Sequence, residues 1–168
     1  MIMFKAMIIA GFGGFIGTCL RFLTGKFAHY LCTSAFPWGT FAVNIVGSFV
    51  IGIFFGMAEK THLISPSMNV FLITGFCGGF TTFSSFSDDM YLLLQQRHWL
   101  YFGLYVGLSL LLGLLLVWLG VTSVLAFILF GWDKLMAKKH RRRVPEAALL
   151  GCALLKGFTV VDDVVQSI

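Results

Sequence analysis

Charged residues are scarce in this chain of 168 residues, where they occupy only 11% of the positions. A typical soluble domain is about 25% charged. Apolar residues reach 58%, and the mean hydropathy is +0.92. Several apolar runs are long enough to cross a bilayer, which takes roughly 20 residues per helix. The scarcity of charge leaves no room for a separate soluble domain and predicts an all-α, multi-pass membrane protein.

Patterns of reactive or metal-binding side chains are also missing. The four cysteines, Cys19, Cys32, Cys77 and Cys152, lack metal-ligand spacing. Free cysteine in an apolar run behaves as a small hydrophobic residue, so neither a disulfide framework nor redox chemistry is predicted. With no catalytic triad and no nucleotide-binding loop, the chain is not predicted to be an enzyme or to couple transport to ATP.

Four membrane spans are predicted. They cover residues 6–23, 38–57 and 68–94, and the fourth starts near Trp99. Residues 24–37 are expected to form an amphipathic loop. From about Phe102 the fourth apolar run continues to Phe130 and would be roughly 43 Å long as one helix, which exceeds a typical hydrocarbon core. Gly120 and the Thr122–Ser123 pair are therefore candidate break points.

Basic residues are distributed unevenly along the chain. The first 120 residues hold five, placed on both sides of the predicted bundle: Lys5, Arg21, Lys26, Lys60 and Arg97. The positive-inside rule gives this part almost no preferred orientation, which fits either insertion both ways round or an ordinary weak topology. The basic cluster at residues 138–143 marks a cytoplasmic side and is not taken as a nucleic-acid site.

One stretch inside the third span is unlike a continuous helix. Residues 75–86 combine three glycines, four small hydroxyl residues and four phenylalanines. Glycine and adjacent β-branched threonine weaken a helix, and a broken helix at membrane depth is tolerated only where it is buried in protein or lines a cavity. The stretch therefore predicts a break in the third span and a site for an ion or a small polar solute.

Polar side chains inside the other spans are further candidates. Asn44 lies in the middle of the second span, where it could either join helices or line a pathway. Tyr105 and Ser109 are four residues apart and share one helical face. Arg21, near the end of the first span, could snorkel or hold an anion. Phe83 and Phe86 share a face directly after the predicted break, and their ring edges carry the positive end of the aromatic quadrupole.

These pieces, taken in order, carry a resemblance. Residues 13–17 with Arg21-Phe22, residues 39–49, residues 75–86 and residues 109–113 occur with the order and spacing of the fluoride channel family called Fluc or CrcB. The chain from about residue 7 to 120 resembles that family. The resemblance implies a passive, fluoride-selective channel that exports cytoplasmic fluoride and lowers its toxicity. It also implies an antiparallel, dual-topology homodimer in the bacterial inner membrane.

The resemblance also implies roles for individual residues. A central structural Na⁺ would be held by the backbone carbonyls of Gly78 and Thr81. The ion pathway would comprise six residues, with Arg21 at its entrance or in a structural role: Asn44, Phe83, Ser84, Phe86, Tyr105 and Ser109. Thr82 is a further possible donor, and Asp89 stands where the family commonly carries Glu.

Two functions from other classes remain as alternatives. A small dual-topology drug or cation exporter would need a membrane-embedded carboxylate, yet the centres of the predicted spans contain no Asp or Glu. A non-transporting membrane scaffold would use the buried polar residues only to join helices. The predicted division is a channel domain at residues 1–120 and an atypical basic extension at 121–168. Part of that extension resembles a small bacterial membrane family of unknown function.

Overall fold

The computed structural model describes residues 2–61 and 64–138, all of which lie in helices or short connections. The helices are α1 (Ile2–Leu31), α2 (Trp38–Thr61), α3 (Pro66–Asn69), a π-helix (Val70–Cys77), α4 (Gly78–Phe80), α5 (Phe83–Gln95) and α6 (Trp99–Lys138). Four stretches are long and apolar enough to cross a membrane: Met3–Leu31, Trp38–Ala58, Pro66–Gln95 and Trp99–Val124. This confirms the all-α, four-span expectation.

The first span is longer than the sequence indicated. A loop was expected over residues 24–37, but α1 continues to Leu31, and the connection to α2 is only six residues long. Gly25 is the one strong helix-weakening residue in that segment. Lys26 and His29 occupy the last turns, where positive charge is favourable next to the helix C-terminus. The predicted amphipathic loop was therefore wrong for residues 24–31.

The third span is assembled from several elements. Ser65 caps the start of α3 by accepting a hydrogen bond from the Met68 N–H at 3.3 Å, and Pro66 takes the first helical position. The π-helix then leads into α4. Thr81 and Thr82 have extended backbone angles (φ/ψ of −78°/158° and −151°/118°), and α5 begins after them. We call these two residues the extended pair.

Glycines allow α1 to pack directly on the third span. A Cβ at Gly75 would lie 2.6 Å from the Ala10 carbonyl oxygen, and one at Gly79 would lie 2.5 Å from the Gly14 carbonyl oxygen. Cβ atoms at Gly13 or Gly17 would likewise meet the backbone of the π-helix. Small residues permit such close helix contacts in lipid, where apolar burial gives helices little reason to associate. The contacts fix the third span against α1.

The fourth span is one uninterrupted helix. α6 passes through both candidate break points and continues to Lys138. Gly120 instead allows close packing on α2, since a Cβ there would lie 2.6 Å from the Phe49 carbonyl oxygen. Thr122 and Ser123 hydroxyls donate to carbonyls of the preceding turn, at 3.0 Å to Trp118 and 2.6 Å to Leu119. These bonds stay within the helix, so the expected break was wrong.

Candidate functional site

A cavity of about 330 Å³ lies where α2, the extended pair, α5 and α6 meet. We call it the hydroxyl cavity, because four of its nine lining side chains are Ser or Thr. Its lining is Asn44, Ser48, Ile51, Thr81, Thr82, Phe83, Phe86, Ser109 and Leu110. Four of the six predicted pathway residues thus come together here: Asn44, Phe83, Phe86 and Ser109. Ser84 and Tyr105 do not line this cavity.

Asn44 connects α2 to the extended pair. Its Oδ1 accepts a hydrogen bond from the Thr82 N–H at 2.8 Å, and its Nδ2 donates to the Thr82 carbonyl at 3.2 Å. The sequence left open whether Asn44 joins helices or lines a pathway, and in the structure it does the first while its side chain also borders the hydroxyl cavity. An amide has a second N–H, which is the one that could reach a solute in the cavity.

Two backbone carbonyls near the extended pair do not accept their regular helical hydrogen bonds. In a continuous α-helix the Gly78 carbonyl would accept from the Thr82 N–H, and the Thr81 carbonyl from the Ser85 N–H. Here the Thr82 N–H donates to Asn44, and the Ser85 N–H donates to Thr82 Oγ1 at 3.2 Å. Gly78 and Thr81 are the two predicted cation ligands. Their carbonyls therefore lose the regular helical donors, as a hard cation requires of a backbone ligand.

Phe83 and Phe86 border the hydroxyl cavity with very different exposure. Their ring centroids are 6.1 Å apart and the rings are tilted by 42°. Phe86 is 8% exposed and packs against Tyr105, with 4.9 Å between centroids, whereas Phe83 is 79% exposed. One ring is thus fixed in the protein core, and the other lies on the outer surface of the single chain.

Ser109 carries an unsatisfied polar atom at this site. Its Oγ is buried and has no hydrogen-bond partner among the residues that the structure describes. Most serine hydroxyls in membrane helices can donate to their own backbone, as Ser48 does to the Asn44 carbonyl at 2.7 Å. Because a buried polar group without a partner costs roughly 1–3 kcal/mol, the Ser109 hydroxyl is the best candidate for contact with a bound solute.

Tyr105 and Ser84 have other contacts. Tyr105 is fully buried, and its hydroxyl donates to Asp89 Oδ2 at 3.1 Å. Thr40 lies within hydrogen-bonding reach of both side chains. Ser84 is exposed, and its Oγ is 3.1 Å from Thr82 Oγ1. The sequence did not reveal the Asp89–Tyr105 contact, because it joins α5 to α6 across 16 residues.

Arg21 lies in a second, larger cavity of about 550 Å³ between α1, α2 and the start of α5. We call it the basic cavity, because Arg21, Lys26 and His29 all line it, together with the hydroxyl residues Thr18, Thr40, Thr82 and Ser85. None of its described lining residues is acidic. Lys26 and His29 were not among the predicted site residues, because they were assigned to a loop. Thr82 borders both cavities, so the extended pair forms part of the wall between them.

Comparison with known proteins decides the family. The family model described as CrcB-like protein, Camphor Resistance (CrcB), matches residues 8–121. The chain belongs to the CrcB family. A relative from Flavobacterium psychrophilum is 44% identical over 117 residues, covering 70% of this chain and 94% of the relative. One from Rhizobium etli is 41% identical over 126 residues, covering 75% of this chain and all of the relative. Both relatives are named fluoride-specific ion channel FluC.

Membership in the CrcB family confirms several expectations. The family comprises membrane channels and not enzymes, and the four apolar helices make this chain a multi-pass protein of the bacterial inner membrane. A second family model, described as a protein of unknown function (DUF1294), matches residues 123–161. This confirms the resemblance noted for the C-terminal extension. The two matches meet near residue 122, inside α6.

Proposed function

We propose that this chain forms a passive, fluoride-selective channel that lets fluoride leave the cytoplasm. The observation that carries the proposal is the buried Ser109 hydroxyl, which has no partner in the described part of the chain and whose residue lines the hydroxyl cavity together with Asn44, Phe83 and Phe86. The names of the curated relatives support the same ion. In a weakly acidic environment neutral HF enters cells and ionises inside. A channel then allows the anion to leave down its electrochemical gradient.

The lining of the hydroxyl cavity suits a small anion. Fluoride is compact and strongly hydrated, so a pore must replace its water with closely placed donors. Ser109 Oγ and the second N–H of Asn44 are such donors, and Ser84 could add a third near the exposed end of α5. The edges of the Phe83 and Phe86 rings add a weak positive potential. Larger halides would fit the spacing of these groups poorly.

The basic cavity would serve as the entrance. Arg21 and its basic neighbours would raise the local concentration of anions, because clefts of one charge sign with low-dielectric walls focus the electrostatic field. Anions would pass from this cavity towards the extended pair that separates it from the hydroxyl cavity. Tyr105 would act from behind the pathway by fixing Phe86, against which its ring packs.

We further propose that two chains of opposite orientation form the working channel. The basic residues of the first 120 positions are spread over both sides of the bundle, so neither orientation of this part is strongly preferred. Phe83 is 79% exposed although it borders the hydroxyl cavity, which suggests that a second copy completes the lining. An antiparallel homodimer would cover this ring and contain two equivalent pathways.

The interrupted third span would hold a structural Na⁺ at the centre of the homodimer. The Gly78 and Thr81 carbonyls fit this ion, because the N–H groups that would normally occupy them donate elsewhere. Unwound carbonyls of this kind coordinate alkali ions in membrane proteins. When bound, Na⁺ would supply a fixed positive charge that cross-links the two chains. Asn44 would keep the Gly78 carbonyl available by retaining the Thr82 N–H, and Thr82 Oγ1 would do the same for the Thr81 carbonyl by retaining the Ser85 N–H.

The test is fluoride efflux from liposomes that contain the purified full chain, followed with a fluoride-selective electrode. Phe83→Ile should abolish efflux and leave the dimer intact on size-exclusion chromatography. Phe27→Ile is the matched control, because Phe27 is similarly exposed (64%) and borders none of the cavities described here. Unchanged efflux in Phe83→Ile would contradict the pore assignment. Wild-type vesicles that retain fluoride as well as empty ones would favour the scaffold or exporter alternatives.

A further inference from the structure

The channel region continues into the first part of the C-terminal extension as one helix, α6. α6 runs 14 residues past Val124, the end of its membrane-length stretch, and so extends about 21 Å farther as a helix. The place where the two family matches meet is not a linker. Val121 and Thr122 are each 5% exposed there, and a Cβ at Gly56 of α2 would lie 3.3 Å from Val121 and Val124. The described part of the extension, up to Lys138, is therefore a direct continuation of α6.

The ends of the helices define two sides of the bundle. Lys5 of α1 shares a cavity with Pro66 and Val70, and the end of α2 packs beside the exit of α6. We call this side, which the extension leaves from, the tail side. The opposite or loop side holds the α1–α2 and α5–α6 connections, where Phe36 and Tyr101 border one cavity.

The channel region carries similar numbers of basic residues on the tail side and on the loop side, and the extension makes these numbers unequal. The channel region places Lys5 and Lys60 on the tail side and Lys26 and Arg97 on the loop side. Arg21, inside α1, borders the basic cavity and would raise the loop-side count to three. Six more basic residues lie in the sequence within and directly after the last turns of α6, the helix that leaves the bundle on the tail side: Lys134, Lys138, Lys139, Arg141, Arg142 and Arg143. All six lie within the roughly 20 residues after a span that influence orientation.

We propose that this basic segment, residues 134–143, makes the two insertion orientations unequal and holds the tail side in the cytoplasm. The effect of this bias on the number of channels rests on the proposed function, because an antiparallel pair needs one chain of each orientation. The less frequent orientation then limits how many channels can form. If about one chain in ten inserts with its tail outside, at most about one in five can belong to an antiparallel pair of identical chains.

Cys32 provides a natural reporter of orientation. It is exposed in the α1–α2 connection on the loop side. In a full chain carrying Cys19→Ala and Cys152→Ser, with Cys77 buried, a membrane-impermeant maleimide applied to spheroplasts labels Cys32 only when the tail is inside. We expect about four-fifths or more of the total Cys32, measured after permeabilisation, to be labelled from outside. A fraction below about two-thirds would overturn the proposal.

Two further variants change the basic residues on one side of the bundle at a time. The labelled fraction is measured against the total Cys32 present, so it does not depend on how much protein folds. Replacing Lys138, Lys139, Arg141, Arg142 and Arg143 together by glutamine should bring the outside fraction to about one half. Gln95→Arg with Gln96→Arg leaves the extension intact, adds charge to exposed loop-side positions and should also lower the fraction. If neither variant lowers it, the basic segment does not set orientation. Because labelling requires no fluoride flux, this failure is distinguishable from failure of the proposed channel function.

Discussion

Replacing Asn44 by alanine should disconnect α2 from the extended pair. The change removes both hydrogen bonds to the Thr82 backbone, whose lengths are 2.8 and 3.2 Å. Thr82 is 8% exposed and lies within the third membrane-length stretch, so its two backbone groups lose their partners in a largely buried position. Leaving two buried groups unpaired at roughly 1–3 kcal/mol each costs about 2–6 kcal/mol.

A loss of this size is large enough to measure in two ways. With about 2–4 °C per kcal/mol for a chain of this length, the unfolding midpoint in detergent should fall by at least about 4 °C. The Thr82 N–H would also be free to bond the Gly78 carbonyl and extend α4. Fluoride efflux should therefore fall to the level of empty vesicles even in the fraction of protein that remains folded.

Ser48→Ala is the matched control for Asn44→Ala. Ser48 lies one turn away on α2 and borders the same cavity, but its hydroxyl donates to a carbonyl of its own helix. Its removal leaves no backbone group unpaired, so the midpoint should change by no more than about 2 °C. If Asn44→Ala unfolds at the same temperature as Ser48→Ala and conducts fluoride, the assigned role of the amide is wrong.

Asn44→Asp separates the structural role of Asn44 from its role towards the ion. The carboxylate can still accept from the Thr82 N–H, so the variant should be more stable than Asn44→Ala. It would also place a negative charge in the hydroxyl cavity. Two like charges about 4 Å apart repel by roughly 4 kcal/mol at an effective dielectric constant of 20, which corresponds to a nearly thousandfold fall in fluoride occupancy. A stable Asn44→Asp channel with normal efflux would refute the anion pathway.

Three further changes test the packing and electrostatics. Gly75→Ala should lower the free energy of unfolding by the roughly 1–3 kcal/mol typical of overpacking, because its Cβ would lie 2.6 Å from the Ala10 carbonyl oxygen. Gly14→Ala is the control and should not lower it, because the nearest atom to its Cβ is 3.8 Å away. Lys26→Gln should slow efflux at low ionic strength and have little effect near 1 M salt, where the Debye length is about 3 Å. Arg97→Gly should raise the midpoint, since Arg97 has a φ of 59° and left-handed backbone costs roughly 1–2 kcal/mol for other residues.

The spans were predictable because they depend on apolar length, a property that single residues do not disturb. The C-terminal end of α1 and the continuity of α6 could not be predicted from the sequence. Residues 24–31 are polar enough to suggest a loop, yet no residue among them forbids a helix. Gly120 and the Thr122–Ser123 pair look like helix breakers in sequence, but packing on α2 and hydroxyl bonds within α6 accommodate them.

The sequence predicted a break within residues 75–86 because of their glycines, but the structure gives these glycines another role. Gly75 and Gly79 are helical in the structure, and they are small because α1 passes directly against them. The extended residues are the threonines that follow, where the Thr82 side chain caps α5 and Asn44 binds the Thr82 backbone. The π-helix before them left no periodic signal by which the sequence could have revealed it.

The sequence ranked polar residues by position in a span, whereas the structure sorts them by whether the fold satisfies them. Tyr105 and the Oδ1 of Asn44 have partners within the chain, so their first task is to hold helices together. Ser109 Oγ has no such partner among residues 2–61 and 64–138, and the Gly78 and Thr81 carbonyls have lost their regular helical donors.

An unsatisfied atom is not a sufficient criterion, because Asn69 Oδ1 and Trp118 Nε1 are also buried and have no partner among the described residues. Neither of these residues borders the hydroxyl cavity or the basic cavity, so neither lies beside the proposed pathway. Ser109 combines an unsatisfied hydroxyl with open space and donors on the facing helix. That combination, which no sequence pattern contains, is the physical reason to place the ion beside Ser109 and not beside any other polar residue of the spans.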